Sequence, residues 1–199
     1  MTDDEAVARF EQLYRDQEEA PTWTPVTPYD LASRRAVEGR HPDVIREVFG
    51  HGPMLDYGCG PDAILVRLLR ERQVRVDGYD PQLRDEWRNL RWQRGVSYRV
   101  LICREVLEHC MIREIRRLLR EWRDVFRPRF LYITTRFAKA PDHLLAVETE
   151  FDVDPTHITC LTKPLLRLLC VLEGYASRPD LEARLDWQGK GRCLVMERL

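Results

Sequence analysis

Met54-Leu-Asp-Tyr-Gly-Cys-Gly-Pro-Asp-Ala-Ile-Leu65 is a short apolar run broken by one acid, then a glycine-rich turn, then the first residues of an amphipathic helix. Gly58 and Gly60 let the backbone turn sharply and approach a ligand closely, and the amides opening the next helix direct partial positive charge to the same point. The stretch therefore reads as the cradle of an adenosine-containing cofactor. Asp80 stands twenty residues beyond Gly60, at the end of the strand-like run from Val74 to Tyr79, where an acid can accept hydrogen bonds from ribose hydroxyls. The spacing Gly58-x-Gly60-x-x-Ala63 also satisfies a dinucleotide fingerprint, so the glycines alone do not choose between NAD and S-adenosylmethionine. Asp56 decides the reading, because a carboxylate two residues before the first glycine repels a pyrophosphate and favours an ammonium or sulfonium charge.

Working outward, strands are predicted at 53–57, 74–79, 98–103 and 130–135, with helices over 62–72 and 105–126. Strand and helix in alternation imply an α/β fold, a doubly wound parallel sheet with helices on both faces. Ile112, Ile115, Leu118, Leu119, Trp122 and Phe126 mark the buried stripe of the longer helix. Thr162 caps a helix that ends at Gly174, and the segments 175–187 and 192–198, each at least partly strand, are joined by residues 188–191 in a closing hairpin. Upstream, residues 3–20 show helical spacing, 22–29 are punctuated by Pro25 and Pro28 as a linker or lid, and 31–49 make two short helices broken near Gly39 to Pro42. Residues 1–50 are thus expected to be an N-terminal helical cap or lid on a domain spanning 51–199.

The six cysteines form no C-x-x-C pair and three sit in apolar runs, which argues for reduced, mostly buried thiols. An acidic start without a basic-then-apolar leader, and no run long enough for a bilayer, lead us to expect a cytoplasmic protein. Residues 84–129 hold thirteen arginines against seven acids, yet Arg outnumbers Lys 29 to 3 along the whole chain, so the basic stretch reads as composition before it reads as a nucleic-acid surface. A small-molecule acceptor is the expected partner, with no membrane, and the sequence leaves the oligomeric state open.

Leu55-Asp-Tyr-Gly-Cys-Gly60, Gly78-Tyr-Asp-Pro81, Glu105-Val-Leu-Glu-His109, the Phe126-Arg-Pro turn before Leu131-Tyr-Ile-Thr-Thr135, and Asp154-Pro-Thr-His-Ile158 followed by Thr162 and Gly174 occur in one order over residues 50–199. In that order they resemble the class I S-adenosylmethionine-dependent methyltransferases, in the compact branch of type 11, 12 and 23 domains. The resemblance implies a Rossmann-like sheet of seven strands, mostly parallel, with an antiparallel C-terminal strand. It also implies that Asp56, Gly58, Cys59 and Gly60 hold the methionine end, that Asp80 with Pro81 meets the ribose, and that residues around Cys103, Arg104 and Glu105 face the substrate. Three departures stand out: Asp62 replaces the usual third glycine and could cap the helix, Arg99 replaces an acid at the fourth strand, and only about twenty residues are left for the third strand and its helix. Asn89 is the nearest candidate for reading adenine.

Glu105, Glu108 and His109 fall at i, i+3 and i+4, on one face of the predicted helix, and His157 in the later loop could join them. Three readings stay open. In the first, Glu105, His109 and His157 are catalytic groups of a metal-free site, a histidine acting as general base or orienting a hydroxyl. In the second, Glu105, Glu108, His109 and His157 hold a divalent metal, a pattern similar to that of small-RNA 3′-terminal 2′-O-methyltransferases. In the third, His157 satisfies loop backbone and Glu108 pairs with an arginine. The corresponding functions are methyl transfer to oxygen or nitrogen of a small molecule or glycan, RNA 2′-O-methylation, and a non-catalytic binding subunit. His51 and His143 join no constellation and are expected at the surface.

Overall fold

The computed structural model describes residues 38–60, 62–80, 97–138, 157, 159–186 and 188–199. The expected first helix, the proline-punctuated lid, Pro81, Asn89, His143 and the region of a third strand lie outside them. Among the described residues six strands form one sheet: β1 (Met54–Tyr57), β2 (Val76–Tyr79), β3 (Val100–Arg104), β4 (Phe130–Thr134), β5 (Tyr175–Ser177) and β6 (Cys193–Arg198). Their order is β2-β1-β3-β4-β6-β5, with β1 to β4 parallel and β6 antiparallel to both neighbours. The mostly parallel sheet with an antiparallel last strand is as expected.

Side chains alternate across a strand, so each strand feeds two cores. Met54, Val76, Val100, Ile102, Phe130, Tyr132 and Val195 pack on one face beneath α1 (His41–Phe49), α2 (Ile64–Glu71) and α5 (Pro179–Leu185). Leu55, Tyr57, Leu101, Cys103, Leu131, Ile133 and Leu194 pack on the other beneath α3 (Ile112–Glu121) and α4 (Lys163–Leu172). Burial of such aliphatic and aromatic side chains, each contributing roughly 1.5–3 kcal/mol, dominates the stability of the fold. Thr162 caps α4 as predicted, its Oγ1 accepting from the Leu165 amide at 3.3 Å.

Two expectations are corrected. The continuous helix 105–126 is interrupted: a single 3-10 turn covers Leu107–His109, the chain opens at Cys110, α3 follows, and a π-helical turn over Trp122–Phe126 ends it. Glu105, Glu108 and His109 therefore do not share a helix face. At the C-terminus there is no strand–turn–strand hairpin across 188–191, because Pro179 opens α5 after three residues of β5, and the 188–191 loop joins that helix to β6. The sequence reading missed proline's preference for the first helical turn at this point.

Candidate functional site

The ends of β1 and β2 build the cradle. Gly58 N–H and Cys59 N–H donate to the Tyr79 carbonyl at 2.7 and 3.2 Å, which closes the glycine turn over the neighbouring strand. Gly58 has φ +81°, and a Cβ there would stand 2.3 Å from Val106 Cγ2, so both backbone geometry and space demand glycine. Gly60, at φ +67°, has nothing within 4 Å of a Cβ position, so the turn opens into free space. The Gly60 N–H donates to Asp80 Oδ2 at 3.0 Å, which fixes that carboxylate against the turn. Asp62 does not cap α2; the helix starts from Ala63, whose backbone is left-handed at φ 45°.

A cavity of about 430 Å³ opens in front of this turn, with Gly58, Gly60, Asp80, Glu105, Val106 and His109 on its walls and Tyr57 and Tyr79 also lining it. An open glycine amide turn, a buried acid at the end of β2 and an aromatic lining fit the ribose and base of an adenosine cofactor. Three other predicted cofactor residues do not line this cavity. Asp56 lies under the α1/α2 face, 4 % exposed, where burial, assisted by Glu38 and Asp80 and opposed by Arg104, pushes its carboxyl up to about 7. Cys59 is half-buried with its sulfur against Gly78, and Cys103 is fully buried among the α3-side apolar residues; burial raises both thiols.

The same α1/α2 face carries a polar chain around Arg104, which the resemblance placed toward the substrate and which does not line the cavity. Arg104 Nη1 donates to both carboxylate oxygens of Glu38, at 3.0 and 2.8 Å. Glu38 Oε2 lies 3.5 Å from His41 Nδ1, and His41 Nε2 is 2.6 Å from Tyr132 Oη. Burial alone would raise the Glu38 carboxyl, but His41 and Arg104 outweigh it and hold it down at about 2. The only sequence signal was a charged residue ending an otherwise apolar strand.

Glu105, Glu108, His109 and His157 meet by a route other than the predicted helix face. Glu105 has φ +50°, a left-handed backbone that a glutamate adopts only where its surroundings hold it. Here its N–H donates to the Thr134 carbonyl at 2.9 Å and its Oε1 accepts from Thr134 Oγ1 at 3.1 Å. Glu108 is buried, with Oε2 accepting from Thr135 Oγ1 at 2.9 Å and Oε1 without a hydrogen-bond partner among the described residues. Burial, together with the neighbouring Glu105, raises the Glu108 carboxyl well above the usual carboxylate range. No arginine pairs with Glu108 among the described residues; Thr135, missed at the sequence level, takes that place. The His109 and His157 rings are in edge contact, centroids 4.7 Å apart, and the Thr159 N–H donates to the Glu108 carbonyl at 3.0 Å, which ties the later loop to the turn. Among the described residues no three His, Cys, Asp or Glu side chains are grouped as a metal site. His51 is exposed, its Nδ1 donating to the Gln73 carbonyl, and none of the six cysteines forms a disulfide.

A mostly parallel sheet closed by an antiparallel β6, with a glycine turn after β1 and an acid after β2, defines a Rossmann-like fold of the methyltransferase class. A family model described as a methyltransferase domain matches residues 34–175. The chain belongs to this family and is an S-adenosylmethionine-dependent methyltransferase. Among solved structures it is similar to an O-methyltransferase family protein from Burkholderia thailandensis, with TM-score 0.57 and 16 % identity over 96 % of this chain and 67 % of that one. It is similar also to the 1,6-didemethyltoxoflavin N1-methyltransferase of Burkholderia thailandensis, solved with 1,6-didemethyltoxoflavin and S-adenosylhomocysteine, at TM-score 0.55 and 13 % identity over 100 % and 91 % of the two chains. A third likeness is to the small RNA methyltransferase HEN1, at TM-score 0.52 and 13 % identity over 90 % of this chain and 27 % of that one. At such identities the likeness is one of fold. No curated protein matches the sequence. No helix among the described residues is long and apolar enough to cross a membrane.

Proposed function

We propose that this methyltransferase acts on an oxygen or nitrogen of a small molecule or glycan in the cytoplasm, with residues 51–199 as the catalytic domain and 1–50 as its cap. One observation carries the reading: the cradle residues Gly60 and Asp80 and the polar residues Glu105 and His109 line the same cavity. Bound S-adenosylmethionine supplies a methyl carbon activated by its sulfonium. The protein's part is to align that carbon with the acceptor, exclude water and take up a proton. Asp80 accepts from the ribose hydroxyls, Gly58 and Gly60 admit the cofactor closely, and Asp56, buried behind the glycine turn, supplies negative charge on the side of its amino-acid end. His109 takes the acceptor's proton, His157 sets the ring orientation of His109, and Glu105 accepts a hydrogen bond from the acceptor.

The test is methyl transfer from S-adenosylmethionine to a panel of small hydroxyl and amine acceptors. His109→Ala should lower kcat by about 100- to 10,000-fold while S-adenosylhomocysteine affinity, measured calorimetrically, changes by less than about twofold. Turnover should persist in EDTA. Turnover abolished by EDTA and restored by Mn²⁺, with an RNA 3′ end as acceptor, would move the reading to the metal-dependent RNA enzyme.

A further inference from the structure

Arg104 has no part in the proton transfer just described, yet about three-quarters of its side chain is withdrawn from solvent, 24 % remaining exposed. It ends β3 on the face that holds Asp56: Asp56 is in register with Ile102, and side chains two apart on a strand share a face. Its Nη1 is committed to Glu38, while its Nε is enclosed with no hydrogen-bond partner among the described residues. A guanidinium so largely enclosed is unfavourable unless opposite charges stand beside it. Glu38 supplies one negative charge and Asp56 the second.

Seen from Asp56, the surroundings are one-sided. The ionisable groups facing it among the described residues are Arg104 from β3, Glu38 from the turn before α1, Asp80 from the end of β2, Cys59 from the glycine turn and Cys103 from β3. Of these, Arg104 alone is cationic. Remove it, and a buried carboxylate is left facing two others with no positive neighbour among them. A cradle acid that must meet an ammonium group therefore depends on a residue that does not line the cavity.

We infer that Arg104 is a positioning residue for the cofactor's amino-acid end: anchored by Glu38, it supplies the positive charge that keeps the Asp56 carboxylate available to an ammonium group. The inference rests on the S-adenosylmethionine reading of the cradle. It also gives the segment before α1 a role in cofactor binding, since Glu38 reaches the rim of β3 from there and is tied through His41 to Tyr132 of β4.

The experiment compares two ligands that share adenosine and differ in the amino-acid end, S-adenosylhomocysteine and 5′-methylthioadenosine, by calorimetry from about pH 6 to about pH 8. In the unmodified protein the preference for S-adenosylhomocysteine should grow as pH rises through about 7, where Asp56 loses its proton. The paired variant Glu38→Gln with Arg104→Gln, which removes that ion pair as a unit and leaves Asp56 without its cation, should lower that preference about tenfold at neutral pH and move its midpoint upward. Its affinity for 5′-methylthioadenosine should stay within about twofold, and Arg104→Lys should restore most of the preference. A pH-independent preference in the unmodified protein, or a parallel loss of both ligands in the paired variant and in Arg104→Lys, overturns the inference and leaves the cofactor reading standing. Failure of the unmodified protein to bind either ligand overturns both.

Discussion

Glu173 and Glu182 are buried as deeply as Asp56 and Glu108, and the chain treats the two pairs in opposite ways. Glu173, just after α4, receives Arg116 at 2.7 Å and Arg120 at 3.4 Å, with Arg123 donating to its carbonyl. Glu182, in α5, receives Lys163 at 3.0 Å and Arg167 at 3.3 Å and accepts from the Val195 amide at 3.2 Å. These carboxylates pin α4 and α5 to α3 and β6, and every charge has an answer. At the C-terminal edge of β1 and β3 the opposite holds. Asp56 shares its cation with Glu38, and Glu108 faces another acid with no cation beside it among the described residues, only the Thr135 hydroxyl and a backbone amide donating. Equal burial with unequal compensation sets Asp56 and Glu108 apart from the two carboxylates that hold helices in place, and uncompensated burial of this kind is the pattern that functional carboxylates share.

The largest expected effect tests the compensated side of that contrast. Glu182→Ala strands the Val195 amide in the core and leaves Lys163 and Arg167 facing each other across a void, and should cost about 3–5 kcal/mol in urea unfolding at neutral pH. S-adenosylhomocysteine affinity, measured well below the unfolding transition, should not change. A loss under about 1 kcal/mol would mean that the buried ion pairs of α5 are rehydrated and that the contrast with Asp56 is one of degree only.

Asp56→Asn should act in the reverse sense. An acid whose carboxyl rises from its ordinary value to about 7 on folding binds its proton more tightly in the native state, so native stability falls as pH climbs from about 4 to about 7 and is level above that. The asparagine variant carries no such penalty. The ligand-free variant should be more stable than the parent by about 2–4 kcal/mol at pH 8, equal to it near pH 4, and weaker in binding S-adenosylhomocysteine. Thermal melts at the two pH values suffice, and a variant that is less stable at pH 8 would show Asp56 to be a structural residue like Glu182.

What was legible in the sequence follows the same division. The cradle could be read because it is local: strand, glycines and helix lie within twelve consecutive residues, and Asp80 is one strand away. Strand positions were set by apolar runs that tertiary contacts reinforced, with the ends of the predicted elements shifting by a residue or two. The helix from Glu105 failed because periodicity does not reveal a left-handed glutamate; the cause is the Thr134 carbonyl and hydroxyl, 29 residues away. Glu38 and Arg104 are 66 residues apart and carry no spacing signature, so only the fold could pair them. Thr135 closes the strand motif from Leu131, and its pairing with Glu108, 27 residues away, likewise carries no spacing signature.

Asp80→Ala carries the smallest of these effects and the sharpest distinction within the cradle. Asp80 is buried and accepts from the Gly60 amide, so its loss frees one backbone donor that the open space before Gly60 lets water satisfy; the cost to stability should be about 1 kcal/mol. Affinity for S-adenosylhomocysteine should fall by about 1–3 kcal/mol, the range for removing a charged hydrogen-bond partner. 5′-Methylthioadenosine should lose as much, because both ligands carry the ribose. Substitutions at Asp56 or Arg104 act on the amino-acid end and should affect only the first ligand. Equal losses across both ligands for Asp80 and unequal ones for Asp56 would divide the cradle into a ribose end on β2 and an ammonium end on β1. A loss confined to S-adenosylhomocysteine in Asp80→Ala would place both carboxylates at one end and remove the reason for the β2 acid to stand where the strand stops.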